Sequence, residues 1–267
     1  MNETTQKYYP SILQAIHLII LYFFIQALVS FPFALIDYYN DTEYLYHPVK
    51  KVLLGVGSTI FILVYGYRKM KIPLNMVFPL KFFNPLIIVA IVIFFWGMHN
   101  WLSIVNLWIE KAIPPPPWVW EMFGKIFENN NNRWGAFMKV VIIAPVVEEL
   151  IFRGIILQGL RRNYSAVFSV FMSALLFALF HLNPWQLFPA FVLGLILGWV
   201  MVKNNNILLA IIVHAINNLM VLLSITYLEE ISTMKIFSTN ENIVLLISAV
   251  FVIVSLGLIY FFSIKRK

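Results

Sequence analysis

Cysteine is missing altogether from the 267 residues. Its absence excludes disulfides, thiolate nucleophiles and cysteine-ligated zinc. Charge is scarce as well. Asp, Glu, Lys and Arg make up 12% of the chain, against about 25% in an ordinary soluble domain. Hydrophobic residues fill the gap at 61%, and the mean hydropathy is +0.84. A soluble fold is excluded on that balance. The chain reads as an all-α polytopic membrane protein, with residues 1–267 forming a single transmembrane domain. Negative charge is the rarer sign, so the net charge is +7. In a membrane protein such an excess holds topology and meets anionic lipid, and nucleic acid is not an expected partner. A cleavable signal peptide and internal repeats are not found either. The first apolar run is too long for a signal core and has no small-residue cleavage site.

A membrane span needs about 20 apolar residues. Eight stretches qualify: 12–36, 49–67, 85–109, 134–160, 165–181, 187–202, 207–228 and 243–264. Polar or proline-rich connections separate them, among them Pro114 to Pro117 and Asn129 to Asn132. Asn183-Pro184 breaks the chain between the fifth and sixth spans, because proline lacks the N–H and restricts the residue before it. Ala190, Gly194 and Gly198 recur every four residues on the sixth, a spacing that lets helix backbones approach closely. Arg68, Lys69, Lys71, Lys81, Arg161, Arg162, Lys203 and the Lys265-Arg266-Lys267 tail fall on one side. Most acids, including Asp37, Asp41, Glu43, Glu110, Glu121, Glu128, Glu229, Glu230 and Glu241, fall on the other. The lysine and arginine bias predicts both termini in the cytoplasm.

Three charges interrupt this apolar pattern within the fourth span: Glu148, Glu149 and Arg153. Each costs about 2.5–3.5 kcal/mol on insertion scales, which points to work rather than filler. Glu149 and Arg153 are four apart and share a helix face, with the carboxylate N-terminal in the favoured order. Glu148 lies about 100° round the helix and is left unpaired. The fifth span ends at His181, and the seventh carries His214 and Asn218 on one face with Asn217 between. Histidine and asparagine in spans commonly serve as interhelical hydrogen-bond glue; His17 and His99 read that way. Converging inside one bundle, the motif residues could do more. Glu148 could act as a general base on a water positioned by imidazole, with imidazole and amide donors for an oxyanion. Alternatively, Glu148, His181 and His214 could ligate zinc with a fourth place for water. Either arrangement hydrolyses an acyl bond. The three polar motifs lie at different predicted depths, so the turn after His181 is expected to fold back into the bundle.

Glu148-Glu149-x-x-x-Arg153, Phe177-x-x-x-His181 and His214-x-x-x-Asn218 together resemble the three motifs of the CAAX protease and bacteriocin-processing (CPBP, or Abi) family of intramembrane proteases. The order matches, each motif has its own span, and the similar core covers residues 134–228. The resemblance implies peptide-bond hydrolysis in the membrane, with Glu148 as general base and His181 sharing the water. It implies His214 and Asn218 as the oxyanion hole and Glu149 with Arg153 as support. No cofactor is expected, with zinc the alternative. The implied partners are the bilayer and a membrane-embedded or membrane-associated peptide or protein. Localisation is expected at the cell membrane, as a multi-pass protein of a bacterium. Two other functions fit part of the pattern. One is an ion- or proton-coupled transporter using Glu148 and Glu149 as a relay, although repeats and paired broken helices are not seen. The other is a non-catalytic bacteriocin-immunity or scaffold protein.

Overall fold

The computed structural model describes residues 8–42, 48–119, 133–227 and 241–263. Its helices are α1 (Ile12–Asn40), α2 (Pro48–Met70), the single turn α3 (Leu74–Val77), α4 (Leu86–Ala112), α5 (133–163), α6 (Ala166–Phe180), α7 (Pro184–Asn204), α8 (Ile207–Thr226) and α9 (Glu241–Ser263). No strand forms among the described residues. The extended backbone is limited to an isolated pairing of Leu80 with Asn206.

Every predicted apolar stretch lies on a helix, but the helices are not equivalent. Five of them, α1, α4, α7, α8 and α9, are long and apolar enough to cross a membrane. The uncharged run of α2, residues 52–67, is short. α5 carries the buried charges. α6 has only 15 residues, about 22 Å of helix at 1.5 Å per residue. Helix α1 runs four residues past its predicted end, to Asn40, and stops at Asp41, whose φ of 51° turns the chain away. Several predicted loop charges, among them Lys125, Glu128, Glu229, Glu230, Lys235 and the tail 265–267, lie outside the described residues.

The outward faces are apolar as lipid requires: Leu13, Phe24 and Leu28 of α1 and Leu246 and Ile253 of α9 are all exposed. The inward centre is α5. Every residue from Ile151 to Leu160 is buried, so this stretch of the helix is covered on all sides, whereas Trp134, Met138 and Ile142 of its first half are exposed. A surrounded helix has no amphipathic stripe, and its sequence shows none apart from the charges.

Close helix contacts occur where side chains vanish. A Cβ on Gly194 of α7 would stand 2.9 Å from Ala174 Cα of α6, and one on Gly198 would stand 2.9 Å from Val170 Cγ1. The four-residue spacing noticed in the sequence therefore seats α7 on α6. Gly97 of α4 does the same for α9, since its Cβ would lie 2.7 Å from the Ser248 carbonyl. We expect Gly194→Val to lower stability by about 1–3 kcal/mol through overpacking. Gly257→Ala, where the added carbon meets nothing within 4 Å, is the matched control. Thermal unfolding in detergent micelles reads both, and equal midpoints would show that α6 and α7 do not need this approach.

The basic segment after α2 is pinned under the bundle rather than left as a plain loop. Ile207 N–H donates to Pro79 O at 2.8 Å, and Asn206 Nδ2 donates to Lys81 O. Phe78 lies against Gly154, where a β-carbon would collide with its ring. The cytoplasm-side predictions for Lys71 and Lys81 thus fall on a segment fixed to α5 and to the α7–α8 turn.

Candidate active site

Helix α5 changes winding twice, with π segments at Met138–Ile143 and Leu150–Ile156 on either side of the α-helical Ala144–Glu149. Pro145 accounts for the first. In the π register the Ala144 N–H donates to Lys139 O, five residues back. The next donor in that register would be residue 145, and proline has no N–H. Val140 O is therefore left without an in-helix partner. Asn218 of α8 fills the gap, donating from Nδ2 to Val140 O at 2.9 Å. Single π turns inside α-helices are frequent at functional sites. Here the turn lays the motif helix against α8.

Glu148 and Glu149 close the α-helical segment, and Arg153 lies in the second π segment. Arg153 Nη1 and Glu149 Oε1 are 2.9 Å apart, and both side chains are fully buried. The same Glu149 oxygen is 2.9 Å from His214 Nδ1. Glu149 thus ties α5 to α8 as well as to its own helix. Arg153 Nη2 donates to Gly194 O of α7 at 3.3 Å, and its guanidinium stacks 4.4 Å from the Phe177 ring centre of α6. One buried arginine therefore touches three helices. Its Nε and Nη1, and Glu149 Oε2, have no hydrogen-bond partner among the described residues.

Glu148 differs from its neighbour in the way the sequence suggests. Its side chain is 17% exposed, and its Oε2 lies 3.8 Å from His214 Nε2, beyond hydrogen-bond length. His214 sits between the two carboxylates, with Nδ1 on Glu149 and Nε2 toward Glu148. A carboxylate accepts at Nδ1, so that nitrogen carries hydrogen and the ring is held in one orientation.

His181 joins through Phe177. Both imidazoles contact that ring edge-on, His181 at 4.9 Å and His214 at 5.6 Å between centres. His181 Nδ1 is 2.9 Å from Phe177 O. A carbonyl only accepts, so Nδ1 carries the hydrogen and neutral His181 presents a bare Nε2. The short α6 brings His181 to the level of the cluster. The turn behind it is not enclosed, however. Leu182, at φ 50° and 75% exposed, reverses the chain at the protein surface, and Trp185 Nε1 anchors the turn by donating to Ile113 O of α4 at 2.7 Å. The sequence reading of a turn folded inside the bundle is corrected on this point: the reversal needs an open left-handed corner, and a short helix already supplies the depth.

The structure thus gathers Glu148, Glu149, Arg153 and His214 in direct contact. It places His181 one ring away and Asn218 one turn further along α8. No hydrogen bond or ion pair links His181 or Asn218 to Glu148 among the described residues. The zinc alternative asks for more. The described residues include no group of three or more His, Cys, Asp or Glu side chains gathered closely enough to hold a metal ion. Residues not singled out from sequence as part of the site are Phe177 as the shared ring, Gly194 as a carbonyl acceptor and His99, which reaches the site through Asn217. Phe177 lay within a motif and was open to notice; the other two depend on which helices pack together.

Comparison with known proteins agrees with the motifs. Residues 130–220 match the family model Rce1-like, described as type II CAAX prenyl endopeptidase Rce1-like. The matched stretch covers about a third of the chain and contains every motif residue. No curated protein and no solved structure matches the chain. The apolar helices and this match together mark a multi-pass membrane protein. Its motif-bearing segment is thus similar to the Rce1-like type II CAAX prenyl endopeptidases, the CPBP family that the motifs resemble.

Proposed function

We propose that the chain is an intramembrane endopeptidase that cleaves a peptide bond of a membrane-embedded or membrane-associated protein with a glutamate-activated water. The observation that carries this reading is the division of labour between adjacent carboxylates. Glu149 is fully buried and committed to Arg153 and His214, whereas Glu148 is part-exposed, without a hydrogen bond among the described residues and beside an imidazole. Glu148 takes one proton from water, and the other hydrogen stays on the oxygen and is donated as a hydrogen bond to the bare Nε2 of His181. The oxygen attacks the scissile carbonyl. The resulting oxyanion accepts from His214 Nε2–H and from the Asn218 Nδ2 hydrogen not spent on Val140 O. Glu148 then passes its proton to the leaving nitrogen. The charges balance at each step, because the oxyanion's charge replaces the one that Glu148 loses.

Topology completes the proposal. Eight helices cross the membrane, with both termini in the cytoplasm of a bacterial cell, and α6 spans as the short member. The substrate is a peptide that presents its bond at the depth of Glu148, for example a prenylated CAAX terminus, a peptide precursor or a bacteriocin leader. The decisive experiment compares peptides released by cells carrying wild type and Glu148→Ala. Disappearance of a defined set of membrane-derived cleavage products supports proteolysis. Identical peptidomes, with any biological role intact, would favour the immunity or scaffold reading.

A second reading has one observation in its favour. Both His181 and His214 have Nδ1 tied to an acceptor, the arrangement that usually turns Nε2 toward a metal. Zinc held by Glu148, His181 and His214 would supply Lewis-acid activation of water. The metal-free form suits the His214–Asn218 pair better, so we expect activity of the purified enzyme to persist in a strong zinc chelator. Loss of cleavage that returns on adding zinc would reverse this choice.

A further inference from the structure

Helix α4 lies outside the family-matched stretch, yet it makes a polar contact with the motif helix α8. His99 Nε2 is 3.1 Å from Asn217 Oδ1, Asn217 Nδ2 donates to Asn218 Oδ1 at 3.0 Å, and Asn218 Nδ2 donates to Val140 O at 2.9 Å. Each link has one sense. An amide oxygen only accepts, so His99 Nε2 must carry hydrogen. Asn217 then has its oxygen occupied and offers its amino group. Asn218 receives that group on its oxygen, which leaves its amino group for α5. Val140 O accepts only the amino group of Asn218, which sets the flip, and the bond from Asn217 holds the Asn218 oxygen at the other end, so the plane of the amide is fixed from both sides. One Asn218 hydrogen goes to Val140 O, and the second is left in a defined direction.

We propose that His99 is a positioning residue for the oxyanion site: through Asn217 it sets the orientation of the Asn218 amide. His99 is itself held by Phe95, one turn before it, with ring centres 6.0 Å apart and planes 24° from parallel. The inference rests on the reading of Asn218 as an oxyanion donor. It assigns α4 a task in the reaction that no motif on that helix announces. Ordinary interhelical glue would tolerate loss of any one of these bonds with a change in stability alone. A positioning series should instead change the rate without changing substrate affinity.

The test uses the full chain in detergent micelles with an internally quenched farnesylated CAAX peptide as probe. His99→Ala and Asn217→Ala are each expected to lower kcat about tenfold, less than outright loss of an oxyanion donor, with KM within about twofold. His99→Gln, whose Nε2 can still donate to Asn217 Oδ1, should recover most of kcat. Equal losses in His99→Gln and His99→Ala, or unchanged kcat in both, would overturn the assignment. A second arm needs no substrate. The Asn218 side-chain amide signals in 15N-asparagine protein, identified by their loss in Asn218→Ala, should shift in His99→Ala and return in His99→Gln. Unmoved signals would overturn the series of bonds. If wild type leaves this peptide intact while these signals behave as expected, the series of bonds from His99 to Asn218 stands, and the kinetic arm is run on the peptides that disappear in Glu148→Ala cells; if no peptide disappears there, the oxyanion role of Asn218, and with it the positioning role of His99, is overturned.

Discussion

Glu148→Gln should lose about a thousandfold in kcat while leaving the fold almost untouched. Glutamine has the same shape and hydrogen-bonding reach but cannot take a proton from water, so the loss isolates the general-base contribution, which typically spans about 10²- to 10⁴-fold. The fold should tolerate the change because Glu148 makes no hydrogen bond among the described residues and His214 Nε2 is 3.8 Å from its Oε2. We expect the thermal midpoint to stay within about 3 °C, the span of less than 1 kcal/mol in a domain of this size. Glu149→Gln should behave differently, because its oxygen serves both Arg153 and His214 at 2.9 Å; there, rate and stability fall together. The pair of variants thus separates the working carboxylate from the supporting one. Retention of more than a tenth of wild-type kcat in Glu148→Gln would remove Glu148 as the base. If Glu149→Gln instead gave the selective loss, the two roles would have to be exchanged.

That division was legible in the sequence because it follows from helix geometry alone. Glu149 and Arg153 share a face at four residues' spacing, and Glu148 does not. The structure reproduces this and adds what spacing cannot show. Glu149 also holds His214, 65 residues away, and a second bond between the same two helices runs from Asn218 to Val140 O, a carbonyl in the π segment that precedes Pro145. The proline is visible in the sequence, but the partner of the carbonyl it frees belongs to another helix. Helix positions were legible for the same local reason: apolar runs and breakers such as Asn183-Pro184 mark where helices start and stop. The number of spans was less so. Length and apolarity single out five helices, because α6 is short and α5 spends its interior on charges that would be costly in lipid. His99 was the least legible. Alone on an apolar helix it reads as a packing histidine, and only the contact of α4 with α8 gives its ring an audience. The depth mismatch among the motifs illustrates the opposite case. Counting residues raised a real difficulty, and the brevity of α6 answers it without the turn entering the bundle.

Arg153→Met should cause the largest loss of stability among single substitutions in the motifs. Arg153 is fully buried, and so is the carboxylate it neutralises. A buried ion pair contributes little net stability compared with a well-packed apolar pair, since desolvation offsets the Coulomb attraction. Removing one member is another matter. Glu149 would keep its charge with only His214 to meet it, and such uncompensated burial costs about 3–5 kcal/mol. Loss of the hydrogen bond to Gly194 O and of the stacking on Phe177 adds to this, because these contacts join α5 to α7 and α6. The double variant Arg153→Met with Glu149→Gln tests the cause. Once the stranded charge is removed, at least half of the lost stability should return, although activity should not, since His214 no longer faces a carboxylate at Nδ1. Arg153→Lys should fall between, keeping the charge but losing the planar group that stacks on Phe177 and reaches Gly194 at once. Thermal unfolding of the four proteins in one detergent reads the series. If the double variant is no more stable than Arg153→Met, the penalty comes from lost packing rather than from an unpaired carboxylate. The cluster would then be a packing device, and the charge balance on which the proposed reaction depends would lose its support.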